Sequence, residues 1–313
     1  MRQIIWNEWR FLVRSRALRF ITLGFVLLLG ASVFLGQQQA KSLTARYSEA
    51  SDHLREQWES IDDMNPHGAA HYGTYIFKPT NLLNGLDAGV NSVTGNVLRE
   101  EGHVQNEMVH YEASQMQTIS KFGQLRPALL LQYIVPLLLI FLALSSISRE
   151  KQSGRLKLLI LQGARTGSLV WGKTLSVWLY GIALLTLTVL VYALFNLKGL
   201  DGEVLVRTLL FYSSYALYFF IVCGLTVFFS ARWQSPTVAL TSMLGIWILW
   251  TIFLPHLWMT AVEQWHELPS RNAFKTNMQE DRSQGLDGHD PRDERTEAFK
   301  QSVLDEYGGD SIS

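Results

Sequence analysis

The sequence has one cysteine, no net charge and long stretches without a single charged side chain. Each deficit excludes something. A lone thiol, Cys223, rules out a disulfide framework or a thiolate metal cluster within the chain. The balance of 27 basic and 27 acidic residues offers no electrostatic footprint for nucleic acid. Asp, Glu, Lys and Arg are all missing from 20–40, 127–148, 174–197, 208–231 and 233–262, runs of 21, 22, 24, 24 and 30 residues. About 20 apolar residues of helix cross the hydrocarbon core of a bilayer, so every run is long enough. A soluble globule is excluded. The fold class is all-α, a multi-pass transmembrane helical protein with five spans in this chain.

Charge is segregated by side. Arg2, Arg10, Arg14, Arg16 and Arg19 precede the first run and are opposed only by Glu8. Arg149, Lys151, Arg155, Lys157, Arg165 and Lys173 separate runs two and three and are opposed only by Glu150. Arg232 stands alone between runs four and five. One side therefore carries 12 basic and 2 acidic residues, the other 15 basic and 25 acidic. An excess of Lys and Arg marks the cytoplasmic side, so the N-terminus is expected inside. The 19 residues before run one are long for a signal-peptide n-region, and no clear small-x-small cleavage site follows; an uncleaved span is the better reading. The expected layout is a cytoplasmic interfacial helix over 1–19, span 1 over 20–40 and an extracytoplasmic segment over 41–126. Span 2 follows over 127–148, a cytoplasmic coupling loop over 149–173 and span 3 over 174–197. A short outer loop over 198–207 leads to span 4 over 208–231, span 5 over 233–262 and an extracytoplasmic tail over 263–313.

Leu43, Tyr47, Ala50, Leu54, Trp58 and Ile61 recur at helical spacing, which predicts that span 1 continues outward as an amphipathic stalk. Val104, Met108, Tyr111, Gln115, Ile119 and Phe122 form a weaker stripe returning to span 2. Residues 65–96, rich in Gly, Asn and Pro, read as loop. The outer segment is thus a helical hairpin with an irregular cap, or a partly disordered loop. At the N-terminus, Ile4, Ile5, Trp6, Trp9, Phe11, Leu12 and Val13 alternate with arginines. That mixture suits a helix lying in the inner interface, aromatics at headgroup level and arginines toward phosphates. A plain cytoplasmic extension of span 1 is the alternative.

Residues 167–174, Gly-Ser-Leu-Val-Trp-Gly-Lys-Thr, satisfy the nucleotide-binding pattern G-x-x-x-x-G-K-[ST]. A phosphate loop needs a buried strand before it and a soluble helix after it. Here a turn-like Gly163-Ala164-Arg165-Thr166 precedes and an apolar span follows, so the match reads as coincidence. His67 and His71 are four apart, with His103 and His110 in the same outer segment. Pro66 and Gly68 make a long helix here doubtful, and solvated or hydrogen-bonding loop histidines are the better reading than a shared metal. No metal or other cofactor is expected. The spans hold no ionisable group but His256, which disfavours ion-driven transport and places any energy source elsewhere. Gln132 and the cluster Tyr212, Ser213, Ser214, Tyr215 and Tyr218 read as hydrogen bonding between helices.

The segment between runs two and three reads Arg149-Glu150-Lys151-Gln152-Ser153-Gly154-Arg155-Leu156-Lys157-Leu158-Leu159-Ile160-Leu161. Gly154 sets off a short amphipathic helix with an apolar face flanked by positive charge. Such a helix docks into a groove on a cytoplasmic partner, or lies on lipid phosphates.

Here the sequence resembles a permease subunit of type-2 ABC exporters. Those proteins carry E-x-x-[ST]-G-x-L-x-x-L between spans two and three and a G-K pair as the third span begins; the matching residues are Glu150, Ser153, Gly154, Leu156, Leu159, Gly172 and Lys173. Asn7-Glu8-Trp9-Arg10 followed by Arg14-Ser15-Arg16 is similar to the family's N-terminal helix. A subgroup described as multi-copper enzyme maturation permeases is matched further, by Ala69-Ala70-His71-Tyr72-Gly73-Thr74-Tyr75, Leu86-Asp87-Ala88-Gly89-Val90 and Gly288-His289-Asp290-Pro291. The outer segments lack cysteine and their methionines are scattered, so no copper-handling cluster is visible. Members continue past the last of these motifs into a sixth span, so the resemblance implies a chain shortened at its C-terminus.

The resemblance implies a prokaryotic inner-membrane subunit that does no covalent chemistry, partnered by a cytoplasmic ABC ATPase and by a second copy or a sister permease in the bilayer. ATPase coupling would fall to Arg149, Glu150, Ser153, Gly154, Leu156, Leu159, Gly172 and Lys173, and the interfacial helix to Trp6, Glu8, Trp9 and Arg10. A membrane-anchored extracytoplasmic interaction or assembly protein without transport is the alternative. An intramembrane enzyme is a third, disfavoured because the spans contain no paired carboxylates and no nucleophile–base pair.

Overall fold

The computed structural model describes residues 2–80, 82–102, 106, 108, 125–197, 201–265, 269–281 and 293–307. Helix α1 (Arg2–Arg14) stops at Ser15, and α2 (Arg16–Glu59) begins directly after it. Ser15 causes the break by acting as a cap: its Oγ accepts the Leu18 N–H at 3.4 Å, satisfying one of the orphan donors of the new helix. At 1.5 Å per residue the 44 residues of α2 extend about 66 Å, twice the hydrocarbon thickness of a bilayer. The stalk stripe and span 1 are thus one continuous helix.

Beyond it come α3 (Pro66–Tyr72), β1 (Thr74–Phe77), α4 (Asn91–Thr94) and β2 (Val97–Glu100). The largely apolar part of the chain follows: α5 (Val135–Gln152), the short α6 (Arg155–Leu161), α7 (Thr166–Phe195), α8 (Gly202–Arg232), α9 (Pro236–Ile248) and α10 (Leu254–Trp265). Two polar helices, α11 (Arg271–Asp281) and α12 (Asp293–Tyr307), complete the order. Among the described residues five helical stretches are long and apolar enough to cross a membrane: Arg16–Glu59, Pro127–Leu144, Thr166–Phe195, Gly202–Arg232 and Pro236–Val262. The all-α, multi-pass class is what the structure has.

Two of these stretches carry a π-helical turn just before a proline: Leu130–Ile134 before Pro136, and Leu249–Phe253 before Pro255. Proline has no N–H for the carbonyl four residues back, and a wider turn absorbs the ring. For Pro136 the orphaned carbonyl is that of Gln132. It accepts instead from the Tyr218 hydroxyl of α8 at 3.2 Å. Tyr212 bonds across to Thr186 at 2.9 Å, whereas Ser213 and Ser214 donate to carbonyls of their own helix. The polar cluster of span 4 therefore divides: its tyrosines join helices and these two serines do not.

The chain forms two compact units, Met1–Ala50 with Lys78–Gly95 and His110–Phe253, and Ser51–Phe77 with Asn96–Val109 and Leu254–Ser313. The first has a core of Leu131, Val135 and Leu139 from the second span, Leu185 from α7, and Phe219 and Cys223 from α8. Gly181 brings these helices close: a Cβ there would sit 2.9 Å from Leu139 Cδ1 and 3.1 Å from Phe219 Cδ2. At the other end of α7, Gln37 and Asn196 exchange amide hydrogen bonds of 2.7 and 3.1 Å, both buried. Gly36 has no room for any side chain, since a Cβ would lie 2.0 Å from the Gly85 carbonyl oxygen.

The second unit corrects the reading of 65–96 as plain loop. Asn65 caps α3 by accepting the Gly68 N–H at 2.6 Å, and Pro66 fills the first helical position, where a missing N–H costs nothing. Strands β1 and β2 pair antiparallel, Thr74 opposite Glu100 and Phe77 opposite Val97. Composition signalled turns here, and two four-residue strands are too short to register against it. Of the expected return stripe only Met108 is among the described residues; His103, His110 and 288–291 also lie outside them.

Candidate functional site

The loop between the second and third spans is built from two left-handed glycines. Gly154 has φ +72°, a conformation that costs a side-chain-bearing residue about 1–2 kcal/mol. It ends α5 and turns the chain into α6. Gly163, at φ +87°, closes α6: its N–H reaches the Ile160 carbonyl and the Ala164 N–H reaches that of Leu159, both at 3.0 Å. This double bond pattern is a Schellman stop. A seven-residue helix is thus held between two turns.

The leucines of α6 divide by face. Leu156 packs against the buried core, and Leu159 is half-buried. Leu158 and Leu161 are 59% and 83% exposed, with Ile160 also outward, beside exposed Arg155 and Lys157. The leucines picked out by resemblance thus face the bundle, and the free apolar surface belongs to two leucines nearly one helical turn apart, Leu158 at an x position of the pattern and Leu161 beyond its end.

Three sequence features meet at one atom. Lys173 Nζ donates to Glu8 Oε1 at 2.6 Å and to Glu150 Oε1 at 2.9 Å. The lysine is only 1% exposed. Its long stem crosses from α7 to the last turn of α5 and to α1. A carboxylate in the last turn of a helix is disfavoured by the macrodipole, so Glu150 gains from a cation held against it. Formally the triad carries two negative charges and one positive. Among the described residues Glu150 Oε2 is enclosed without a hydrogen-bond partner, as is Trp9 Nε1.

Gly172 places α1. A Cβ at this position would lie 2.9 Å from Ile4 Cγ2, so the two helices touch backbone to side chain. On α1, Ile4 and Glu8 turn inward one turn apart, Trp9 is half-buried, and Trp6 and Arg10 face outward with the guanidinium 5.6 Å from the indole centroid. The group Trp6, Glu8, Trp9 and Arg10 therefore separates into an inward pair and an outward pair.

Neighbouring residues reinforce the same end of the bundle. Lys151 Nζ donates to the Ala231 carbonyl and reaches that of Trp233 at 3.5 Å, neutralising the C-terminal carbonyls of α8. Ser230 Oγ accepts the Ser148 N–H at 3.1 Å and donates to the Leu144 carbonyl at 2.7 Å, all buried. Ser153 Oγ donates to the Glu150 carbonyl at 3.4 Å. Lys151 and Ser230 are contributors that motif reading passed over; only the adjacency of helix ends identifies them.

Residues 167–174 all lie inside α7, and their lysine ends between two carboxylates. No strand precedes them: Gly163 stops α6 and Thr166 starts α7. This backbone has no cradle of converging N–H groups, so the sequence match is not a phosphate loop. His67 and His71 share a short helix of seven residues, rings 4.7 Å apart, rather than a loop. Among the described residues no group of three or more metal-ligating side chains forms around them.

Several apolar membrane-length helices, with short polar connections at one end tied by buried ion pairs, define a multi-pass membrane protein. Comparison with protein families makes the class specific: the ABC-2 family transporter proteins match residues 2–298. The chain belongs to that family, and so is a membrane permease component of an ABC transporter. Neither the curated proteins nor the solved structures compared with it include a match.

Proposed function

We propose that this permease subunit is driven by a separate cytoplasmic ABC ATPase that docks on α6, and that it works in export. The observation that carries the reading is the exposed pair Leu158 and Leu161, flanked by Arg155 and Lys157, on a helix anchored through Leu156 to the core of the bundle. Apolar anchors supply affinity and charge sets register. Glu150, Gly154, Leu156, Leu159, Gly172 and Lys173 act in this reading behind the surface, holding α6 on the ends of α5 and α7, and the exposed Ser153 and the preceding Arg149 are proposed as part of the same coupling segment. ATP binding on the partner shifts the bundle between two states through contacts that differ between them. A second copy or sister permease completes the path, because one set of spans does not enclose it.

The charge bias of 2–19 and 149–173 supports a cytoplasmic N-terminus and loop in a prokaryotic inner membrane. A reporter fused after Arg155 is expected to read cytoplasmic and one after Tyr72 extracytoplasmic. Membership of the multi-copper enzyme maturation subgroup is proposed on 69–75 and 86–90.

The test is association with the ATPase in solubilised membranes. Leu158→Asp with Leu161→Asp is expected to weaken the complex by about tenfold or more, equivalent to 1.4 kcal/mol, without lowering the melting temperature of the permease. An unchanged complex overturns the docking surface.

A further inference from the structure

A cavity of about 790 Å³ lies within the first unit, between the start of α2 and the second and third spans. Its size falls inside the ~300–1,000 Å³ usual for small-molecule sites. Its two ends differ. Leu18, Ile21 and Phe25 of α2 face Leu138, Phe141 and Leu142 of α5 around an apolar body. Over those stretches each helix advances about 6–12 Å at 1.5 Å per residue. At the other end stand Glu8, Ser15, Glu150 and Arg155. Phe141 is exposed on the bundle surface as well as lining the cavity, so the space opens to the side of the bundle.

The polar end presents charge of both signs to the cavity. Both carboxylates of the triad line the cavity, with 25% and 22% of their side-chain surface accessible, while Lys173 is sequestered at 2% and is not part of the lining. Glu150 accepts from Lys173 through Oε1, and its Oε2 is itself enclosed, without a hydrogen-bond partner among the described residues. An unfilled carboxylate acceptor in an enclosed place is costly. The triad alone has one surplus negative charge, and the Arg155 guanidinium at the same end balances it. The complementary occupant has an apolar body and a head bearing a hydrogen-bonding cation next to an anion.

We infer that this cavity binds one phospholipid with a primary-ammonium headgroup, drawn from the leaflet on the α1 side. One acyl chain lies between Phe25 and Leu138, the ammonium meets the Glu8 and Glu150 carboxylates, and the phosphate meets Arg155. A trimethylated ammonium has no N–H to give, and a glycerol head has no cation, so the headgroup is selected by chemistry. The inference shares Arg155 with the ATPase reading but is tested in the absence of the ATPase.

The test is native mass spectrometry of the full chain released from nanodiscs containing equal amounts of phosphatidylethanolamine, phosphatidylcholine and phosphatidylglycerol. Wild type is expected to retain one phosphatidylethanolamine in about tenfold preference, as charge-assisted hydrogen bonds allow. Ile21 is 45% exposed as well as lining the cavity, so Ile21→Trp fills the space without overpacking the core. That variant is expected to lose lipids of every headgroup, and Arg155→Gln to lose the preference, both with an unchanged melting temperature. Equal retention of the three lipids, a preference for either other headgroup, or full wild-type retention in either variant overturns the assignment. Should a variant fail to fold, the headgroup preference of wild type alone decides between the outcomes.

Discussion

Lys173 Nζ stands 2.6 Å from Glu8 Oε1 although 165 residues separate the two in the chain. The contact joins the N-terminal helix to the third span, and the same ammonium holds Glu150 at the end of the second span. One buried cation thus sets the relative positions of three helix ends, next to the loop proposed to face the ATPase.

Removing that cation leaves two carboxylates facing each other with reduced access to water. Lys173→Ala is expected to destabilise the fold by about 3–5 kcal/mol, the usual consequence of breaking a buried pair from one side. The triple change Glu8→Gln, Glu150→Gln and Lys173→Met is expected to recover most of that loss, since uncharged groups need no counter-ion. Thermal unfolding of the purified protein in detergent checks both, and a triple variant no more stable than Lys173→Ala contradicts the electrostatic account.

The approach of α1 to α7 depends on the missing side chain at Gly172. Gly172→Val is expected to cost about 1–3 kcal/mol through overpacking against Ile4. Adding Ile4→Ala to the same chain opens the needed space and is expected to restore stability. A double variant as unstable as the single would mean that the glycine serves something other than this contact.

Gly154 is needed for its backbone rather than its size, because nothing stands within 4 Å of the position a Cβ would take. Gly154→Ala is therefore expected to cost about 1–2 kcal/mol from the left-handed φ alone, and Gly154→Asn less. The penalty should be local. Amide exchange across α6 quickens by about 5–30-fold, while that of α8 stays as in wild type. Uniform quickening along the bundle would contradict a hinge confined to the loop.

Tyr218 replaces the N–H that Pro136 cannot supply to Gln132. Tyr218→Phe is expected to lose about 0.5–1.5 kcal/mol in the wild-type background and less once Pro136→Ala has given the carbonyl its own helix partner. A double-mutant cycle read by thermal unfolding measures the difference. Equal losses in the two backgrounds would sever the link between the hydroxyl and the proline.

Much of the architecture could be read from residue order. Five charge-free runs correspond to five membrane-length helices, because crossing hydrocarbon is a demand on length and polarity that each segment meets alone. The helix after Gly154 was legible for a similar reason. Boundaries were less so. Helix α7 begins at Thr166, ahead of the charge-free run, since Lys173 enters the helix once its charge is paired. The strands β1 and β2 escaped notice because four residues carry little periodicity and their pairing spans 97–100 against 74–77.

The candidate site was half legible. Glu8, Glu150, Gly172 and Lys173 were all named from the sequence, but under two headings, an interfacial helix and a coupling loop. Leu158 and Leu161 were passed over in favour of Leu156 and Leu159, since a pattern of leucines does not say which side faces the bundle.

By itself the sequence determined that the chain lives in a membrane, how many apolar helices it has and where its loop turns, because apolar length, charge and glycine conformation are properties of short segments. Only the tertiary structure decided that Lys173 is shared by Glu8 and Glu150, that α6 offers Leu158 and Leu161 outward, and that a cavity with carboxylates at one end opens between the first two spans. Those facts depend on which helices become neighbours and how they are rotated. Packing of whole helices settles that, through contacts between residues far apart in the chain.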